Sequence, residues 1–424
     1  MLPPELLLMT FQYFCDSQIN VLRSRSRSPT LTIAHVSSGW RTLVRSTPYL
    51  WANFEVECIC SHPNAGHILS HFLLFSSDAL LSFRFIHQND IGLTQCHEGL
   101  VVTQLVQSAH RWKEASFSLP WYMLPSIFNR ITSKHDLSAL QSLRIENTKE
   151  LSEFWVLTTS AQFPSLRKLE IDGVRFGHLR SQISSGLLEA LKADPIDVKD
   201  VLEVISESPK LHHVDVVPML FLEFGSAALG EAVRSTSITT FTVHLVGSTM
   251  DDLFVRLTLP SLTSLQLIGT AGSSVPVVNV IIFIEFFTRS ACHLTHFTLK
   301  YSQFEDLSTI FTHIPTLTHL AIYESVTPYT PILRNALLDL MSTSHWNQEL
   351  LLPALRVLEL VLVPACAPNL FTRVIQSRWR VEGLRGCARL ERLSLKILQD
   401  GRWNPESKKC LEVMRDEGLD FTFE

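Results

Sequence analysis

Along most of this chain one apolar phrase keeps returning: an apolar residue, two variable positions, a second apolar residue, one variable position, a third. It reads Leu140-x-x-Leu143-x-Ile145, Leu166-x-x-Leu169-x-Ile171, Leu211-x-x-Val214-x-Val216, Ile238-x-x-Phe241-x-Val243 and Leu262-x-x-Leu265-x-Leu267. It continues as Leu294-x-x-Phe297-x-Leu299, Leu317-x-x-Leu320-x-Ile322, Leu355-x-x-Leu358-x-Leu360 and Leu390-x-x-Leu393-x-Leu395. The end of each phrase alternates apolar and variable positions, the period of a strand with one buried face. Pro164, Pro209, Pro260, Pro315 and Pro353 stand two residues ahead of five phrases, so a stiff turn leads into the strand. Between phrases the period lengthens to that of a helix. Asp197 can cap a segment with Val198, Val201, Leu202 and Ile205 on one side, and Phe304, Leu307, Ile310 and Phe311 make a similar face. The predicted unit is strand, turn, helix. Leu81-Ser82-Phe83-Arg84-Phe85 and Trp112-x-x-Ala115-x-Phe117 fit degenerate earlier copies.

The N-terminal stretch has another rhythm. Pro3 and Pro4 stand where a missing N–H costs nothing and Glu5 faces the positive end of a helix dipole, so a helix is predicted from Pro4. Leu7, Phe11 and Phe14 recur at helical spacing with Leu6 and Thr10 beside them, a stripe too wide for one neighbour. A second helix is predicted with Ile33, Val36, Trp40, Leu43 and Val44 on one face, ending before Pro48. Leu22 to Pro29 reads as an insert between the two, and its Arg23-Ser24-Arg25-Ser26-Arg27-Ser28-Pro29 run as an exposed loop that phosphorylation could regulate. The apolar run from Val275 to Phe287, interrupted by Asn279 and Glu285, is too short to span a membrane and reads as a buried helix.

With 424 residues, 46% of them hydrophobic, the chain can bury a large core and exceeds one ordinary domain unless it repeats. A net charge of −5 and a pI near 6.4 argue against a nucleic-acid protein. Eight scattered cysteines, no charged-then-apolar leader and no Asn-x-Ser/Thr sequon fit a cytoplasmic or nuclear protein that is not secreted. Nucleophile-elbow, phosphate-loop, dinucleotide and His-Glu-x-x-His motifs are missing from the sequence. Cys58-Ile59-Cys60-Ser61-His62 with His67 and His71 has poor spacing for zinc. The expectation is therefore a non-catalytic protein with no cofactor, no metal, no nucleic acid and no membrane partner.

Leu2-Pro3-Pro4-Glu5-Leu6-Leu7-Leu8 with Phe11 and Phe14, then Ser38-Gly39-Trp40-Arg41-Thr42-Leu43, then Ser46-Thr47-Pro48-Tyr49-Leu50-Trp51 form an ordered set. Together they resemble an F-box of the kind abundant in fungal proteins. The resemblance implies docking onto a Skp-type adaptor of a cullin ubiquitin ligase through Leu2, Pro3, Leu6, Leu7, Phe11 and Phe14. Val36, Trp40 and Leu43 would hold the module together, and Trp51 would serve either role. The repeated phrases resemble an irregular leucine-rich-repeat solenoid, which implies an α/β fold with a parallel sheet on the concave side and helices on the convex side. The expected divisions are 1–54 for the F-box-like module, 55–135 for degenerate first repeats and 136–424 for the solenoid. A stack of other α/β modules and an all-helical solenoid are the alternatives, the latter disfavoured by the β-branched, period-two phrases.

Thr148, Val174, Thr270, Ser302, Ser325, Val363 and Leu398 stand where that family has Asn or Cys, so its side-chain ladder is not expected and the curvature should be irregular. Strand alternation points Arg144, Glu170, Asp215, Gln266, Lys300 and Tyr323 to the concave face, where mixed charge suits a protein or peptide. The expected function is the substrate-recognition subunit of an SCF-type E3 ubiquitin ligase, with a non-catalytic repeat scaffold as the alternative.

Overall fold

The computed structural model describes residues 3–22, 28–58, 65–87, 98–131, 137–148, 155–156, 159, 161–177, 179–219, 231–246, 249–269, 277–301, 303–304, 307–324, 351–362, 368–380, 387–397 and 405–423. The fold is α/β, and the chain forms two compact units, Met1–Ile196 and Asp197–Glu424.

The first unit begins with three helices, α1 (Pro4–Asp16), α2 (Pro29–Ala34) and α3 (Ser38–Arg45). The single second helix expected from the sequence is split. Ser37 is extended (φ −155°, ψ 166°) and its side chain accepts the Trp40 N–H, capping α3 afresh. The expected insert is also partly structural. Asn20–Leu22 is a strand, and buried Ser28 caps α2 ahead of Pro29. Asn20 Oδ1 accepts from Ser28 Oγ at 2.7 Å and Thr30 N at 3.1 Å, while its Nδ2 donates to the Asn53 carbonyl, so one buried side chain ties helix to sheet. Residues 23–27 of the Arg-Ser run lie outside the described residues.

Strands Asn20–Leu22, Asn53–Cys58, Leu81–His87, Trp112–Leu119, Ser142–Asn147, Lys168–Asp172 and Ala190–Asp197 pair side by side, in chain order and parallel. Parallel neighbours need crossovers, which helices such as Ala65–Phe75 and Glu98–Gln107 supply. Their core is aromatic: Trp51, Phe72, Phe54, Phe83, Phe117, Phe128 and Phe163 follow one another with ring centroids 5.0–6.1 Å apart. Trp51 and Trp112 recur in one role. Each indole N–H donates to the carbonyl seven residues earlier, Val44 at 2.8 Å and Leu105 at 3.1 Å, closing a helix end.

In the second unit, strands His213–Met219, Thr240–Leu245, Ser264–Gly269, His296–Lys300, His319–Tyr323, Val357–Leu362, Arg392–Ile397 and Asp420–Phe423 are again parallel and in chain order. The register aligns the phrases. Phe241, Leu265, Phe297, Leu320, Leu358 and Leu393 form one row, and Val243, Leu267, Leu299, Ile322, Leu360 and Leu395 the next. All twelve are buried. Helix Val198–Glu207 starts at its Asp197 cap as expected. The helix expected across Val275–Phe287 begins only at Val280, because Val277–Val278 is a short strand and Asn279 supplies the cap. Among the described residues no helix is long and apolar enough to cross a membrane.

Two devices join neighbouring turns. The hydroxyls of Thr239, Thr263, Thr295 and Thr318, each following the first apolar residue of a phrase, donate to the carbonyls of His212, Thr239, Thr263 and Thr295 at 3.0–3.3 Å. A ladder of threonines therefore runs at the start of the strands, away from the positions where Asn or Cys is lacking. The second device is an arginine clasp. Arg111 donates to the Ala79 and Leu73 carbonyls, Arg289 to those of Phe254 and Leu257, and Arg378 to those of Leu351 and Leu352. Each guanidinium supplies donors to main-chain oxygens earlier in the chain, beside helix ends in the first two cases.

Candidate functional site

Helix α1 is apolar on two opposite faces. The inner face buries Phe11, 2% exposed, and Cys15; the Phe11 ring lies 4.7 Å from that of Trp40. The outer face carries Leu6 at 49%, Met9 at 67% and Tyr13 at 79% exposure, spaced i, i+3, i+7 and so on one side of the helix. Of the residues expected to dock, Pro3 and Leu6 are exposed, Leu7 and Phe14 half-buried, and Leu2 lies outside the described residues. Phe11 is corrected: it fills the space between helices and presents no surface. Val36 is corrected the other way, being 59% exposed beside the break before Ser37, whereas Trp40 and Leu43 are half-buried. Trp51 is internal, packed against Phe72 and Phe75.

The outward residues of the strands form rows by register. In the first unit, Glu55, Arg84, Ser116, Arg144, Glu170 and Lys192 stand in line. Arg84 lies 3.8 Å from Glu55, and Arg144 lies 3.4 Å from Glu170, so the two residues expected on this face meet as an ion pair. Glu146, one pleat further on, is shared by Arg84 and Arg144 and stands in register with Asp172 and Asp194. Asp172 stays exposed at the strand end, yet partial desolvation of its carboxyl, then the charge of Glu146, raises it above the usual carboxylate range.

The second unit presents Asp215, Gln266, Lys300 and Tyr323, all half-buried. Asp215 Oδ1 lies 3.2 Å from His244 Nε2, and Lys300 Nζ sits 4.9 Å from the centre of the Tyr323 ring. The Tyr323 hydroxyl donates to Glu359 at 3.1 Å; burial and that carboxylate push the phenol up. On the row nearer the strand starts, the His296 and His319 rings stack with centroids 4.1 Å apart and planes 13° from parallel. Burial, then its neighbour His296, lowers the His319 imidazole below its ordinary value. Cysteine and histidine positions 59–64 lie outside the described residues, and among the described ones no group of three or more His, Cys, Asp and Glu is arranged to hold a metal ion.

These surfaces offer apolar contact, mixed charge and hydrogen bonds. No protein-family model matches the chain, and no curated protein is similar enough in sequence to count as a relative.

Met9 and Tyr13 were missed by the sequence reading, although the spacing Leu6, Met9, Tyr13 was visible as a second helical stripe. The His296–His319 pair was also missed. Its signal is a repeated tripeptide, Leu294-Thr295-His296 and Leu317-Thr318-His319, at the same point of two successive phrases.

Proposed function

We propose that this chain is the substrate-recognition subunit of an SCF-type E3 ubiquitin ligase. In this reading α1 to α3 act as an F-box-like module that binds a Skp-type adaptor, and the strand-and-helix repeats act as a leucine-rich-repeat-like receptor for a protein target. The observation that carries it is the Leu6, Met9, Tyr13 stripe, an apolar helix face turned away from the module's own core. A second apolar face on a short N-terminal helix is a cost unless a partner covers it. The Leu-Pro-Pro-Glu-Leu opening and the Trp40–Phe11 contact are consistent with the same module. Mixed charge on the outward strand rows suits a polypeptide target.

The test is co-expression with a Skp adaptor, comparing the native chain with Leu6→Asp/Tyr13→Asp. Both substituted positions are solvent-facing, so the variant keeps its circular dichroism spectrum. Co-purification of the native chain and its loss in the variant is the expected result. No co-purification by either would overturn the ligase reading and leave a non-catalytic repeat scaffold.

A further inference from the structure

The Thr-His pairs on two adjacent strands carry an inference independent of the ligase reading. The Thr295 hydroxyl donates its one proton to the Thr263 carbonyl at 3.0 Å, and the Thr318 hydroxyl donates to the Thr295 carbonyl at 3.0 Å. Each oxygen also lies close to the Nδ1 of the following histidine, 2.9 Å for His296 and 2.8 Å for His319. With the hydroxyl proton given to the ladder, the oxygen accepts, and this geometry favours the tautomer with the imidazole proton on Nδ1. Nε2 is then the bare nitrogen on both rings. A histidine whose Nδ1–H is held by an oxygen acceptor, leaving Nε2 as a lone pair, is the arrangement that metal-binding imidazoles have.

The rings are brought together by strand register, His296 against His319, and stack at 4.1 Å. We propose that His296 and His319 form a two-ligand site for a divalent transition-metal ion of the zinc, nickel or copper type, bound through the two Nε2 atoms. Binding asks the rings to splay so that the two lone pairs converge, which exposed His296 can do without disturbing the core. The remaining coordination positions face outward and take water or a ligand from a docked partner. Glu359 and Glu391 act on His319 with negative charge and Arg392 with positive charge, so the carboxylates favour and the guanidinium opposes an incoming cation.

Calorimetric titration of the full, tag-free chain with Zn2+, Cu2+ and Ca2+ tests this. Expected is a tightest class of one ion per chain, stronger for Cu2+ than Zn2+ and absent for Ca2+, whose preference is oxygen. That class should weaken at least about tenfold in His296→Ala and in His319→Gln, and about tenfold in Thr318→Val, which removes the oxygen orienting the ring together with one rung of the ladder. His213→Ala, on the same row but three strands away, should leave it unchanged. An affinity indifferent to both His296→Ala and His319→Gln, or one lost equally in His213→Ala, would overturn the proposal. Circular dichroism of each variant separates loss of ligand from loss of fold.

Discussion

Replacing Arg111 by methionine tests whether the arginine clasp carries stability. Arg111 is only 9% exposed, and its hydrogen bonds go to uncharged acceptors. Its Nε donates to the Ala79 carbonyl at 3.0 Å, Nη1 to the Leu73 carbonyl at 3.5 Å and Nη2 to the fully buried Ser76 hydroxyl at 2.5 Å. Methionine keeps much of the volume and removes all three donors. Each bond is worth about 1 kcal/mol net and more with a charged donor, but burying the guanidinium has its own cost, visible in a pKa that burial lowers. The balance is a loss of about 2–4 kcal/mol. Hydrogen exchange followed by mass spectrometry on peptides covering 65–87 reads that locally, and the loss corresponds to amides exchanging about 30- to 700-fold faster if they open by the same route. Arg111→Lys should recover only part, since an ammonium cannot span three acceptors in the fork geometry of a guanidinium. Exchange within about twofold of the native chain in Arg111→Met would refute the clasp as a source of stability.

Phe11→Ala should destabilise the N-terminal helices by about 3–5 kcal/mol, whereas Met9→Ala should change stability by no more than about 0.5 kcal/mol; urea unfolding of the two variants decides. Asp172→Asn should stabilise the first unit at neutral pH. The folded state holds this carboxyl's proton more tightly than the unfolded chain does, so the native residue's penalty is present when it is ionised and fades as pH falls through the carboxylate range. Melting temperatures of both proteins should therefore converge in acid, and a gap that widens on acidification would contradict the assignment.

The phrases were legible as strands because their buried pair sits at period two and recurs in the same register. Two of the strands that were missed escaped for a small chemical reason. Trp51-x-x-Phe54-x-Val56 and Leu188-x-x-Leu191-x-Ala193 are the same phrase with an aromatic or an alanine in place of an aliphatic residue, and they lead into Asn53–Cys58 and Ala190–Asp197. The break at Ser37 was hidden because apolar spacing continues across it, and only the capping hydroxyl marks the restart. In α1 both faces are apolar, so periodicity predicts a helix but does not say which face the fold takes. Phe11 turned out internal for that reason, and Val36 exposed because the helix breaks beside it. The threonine ladder was invisible as chemistry, since a hydroxyl two residues ahead of a buried leucine or phenylalanine reads as ordinary polar spacing until the neighbouring carbonyl is beside it.

The direction of the clasps matters during synthesis. Arg111 follows the Ala79 carbonyl by 32 residues and Arg289 follows that of Leu257 by 32, while Arg378 follows that of Leu352 by 26. In all three the donor lies downstream, so the acceptor carbonyls, at a helix end in the first two, wait for a side chain that has not yet been made. At about 5–20 residues per second that wait lasts roughly 2–6 s for a 32-residue gap. While each of these gaps is being made, the carbonyls it will serve stand without their guanidinium.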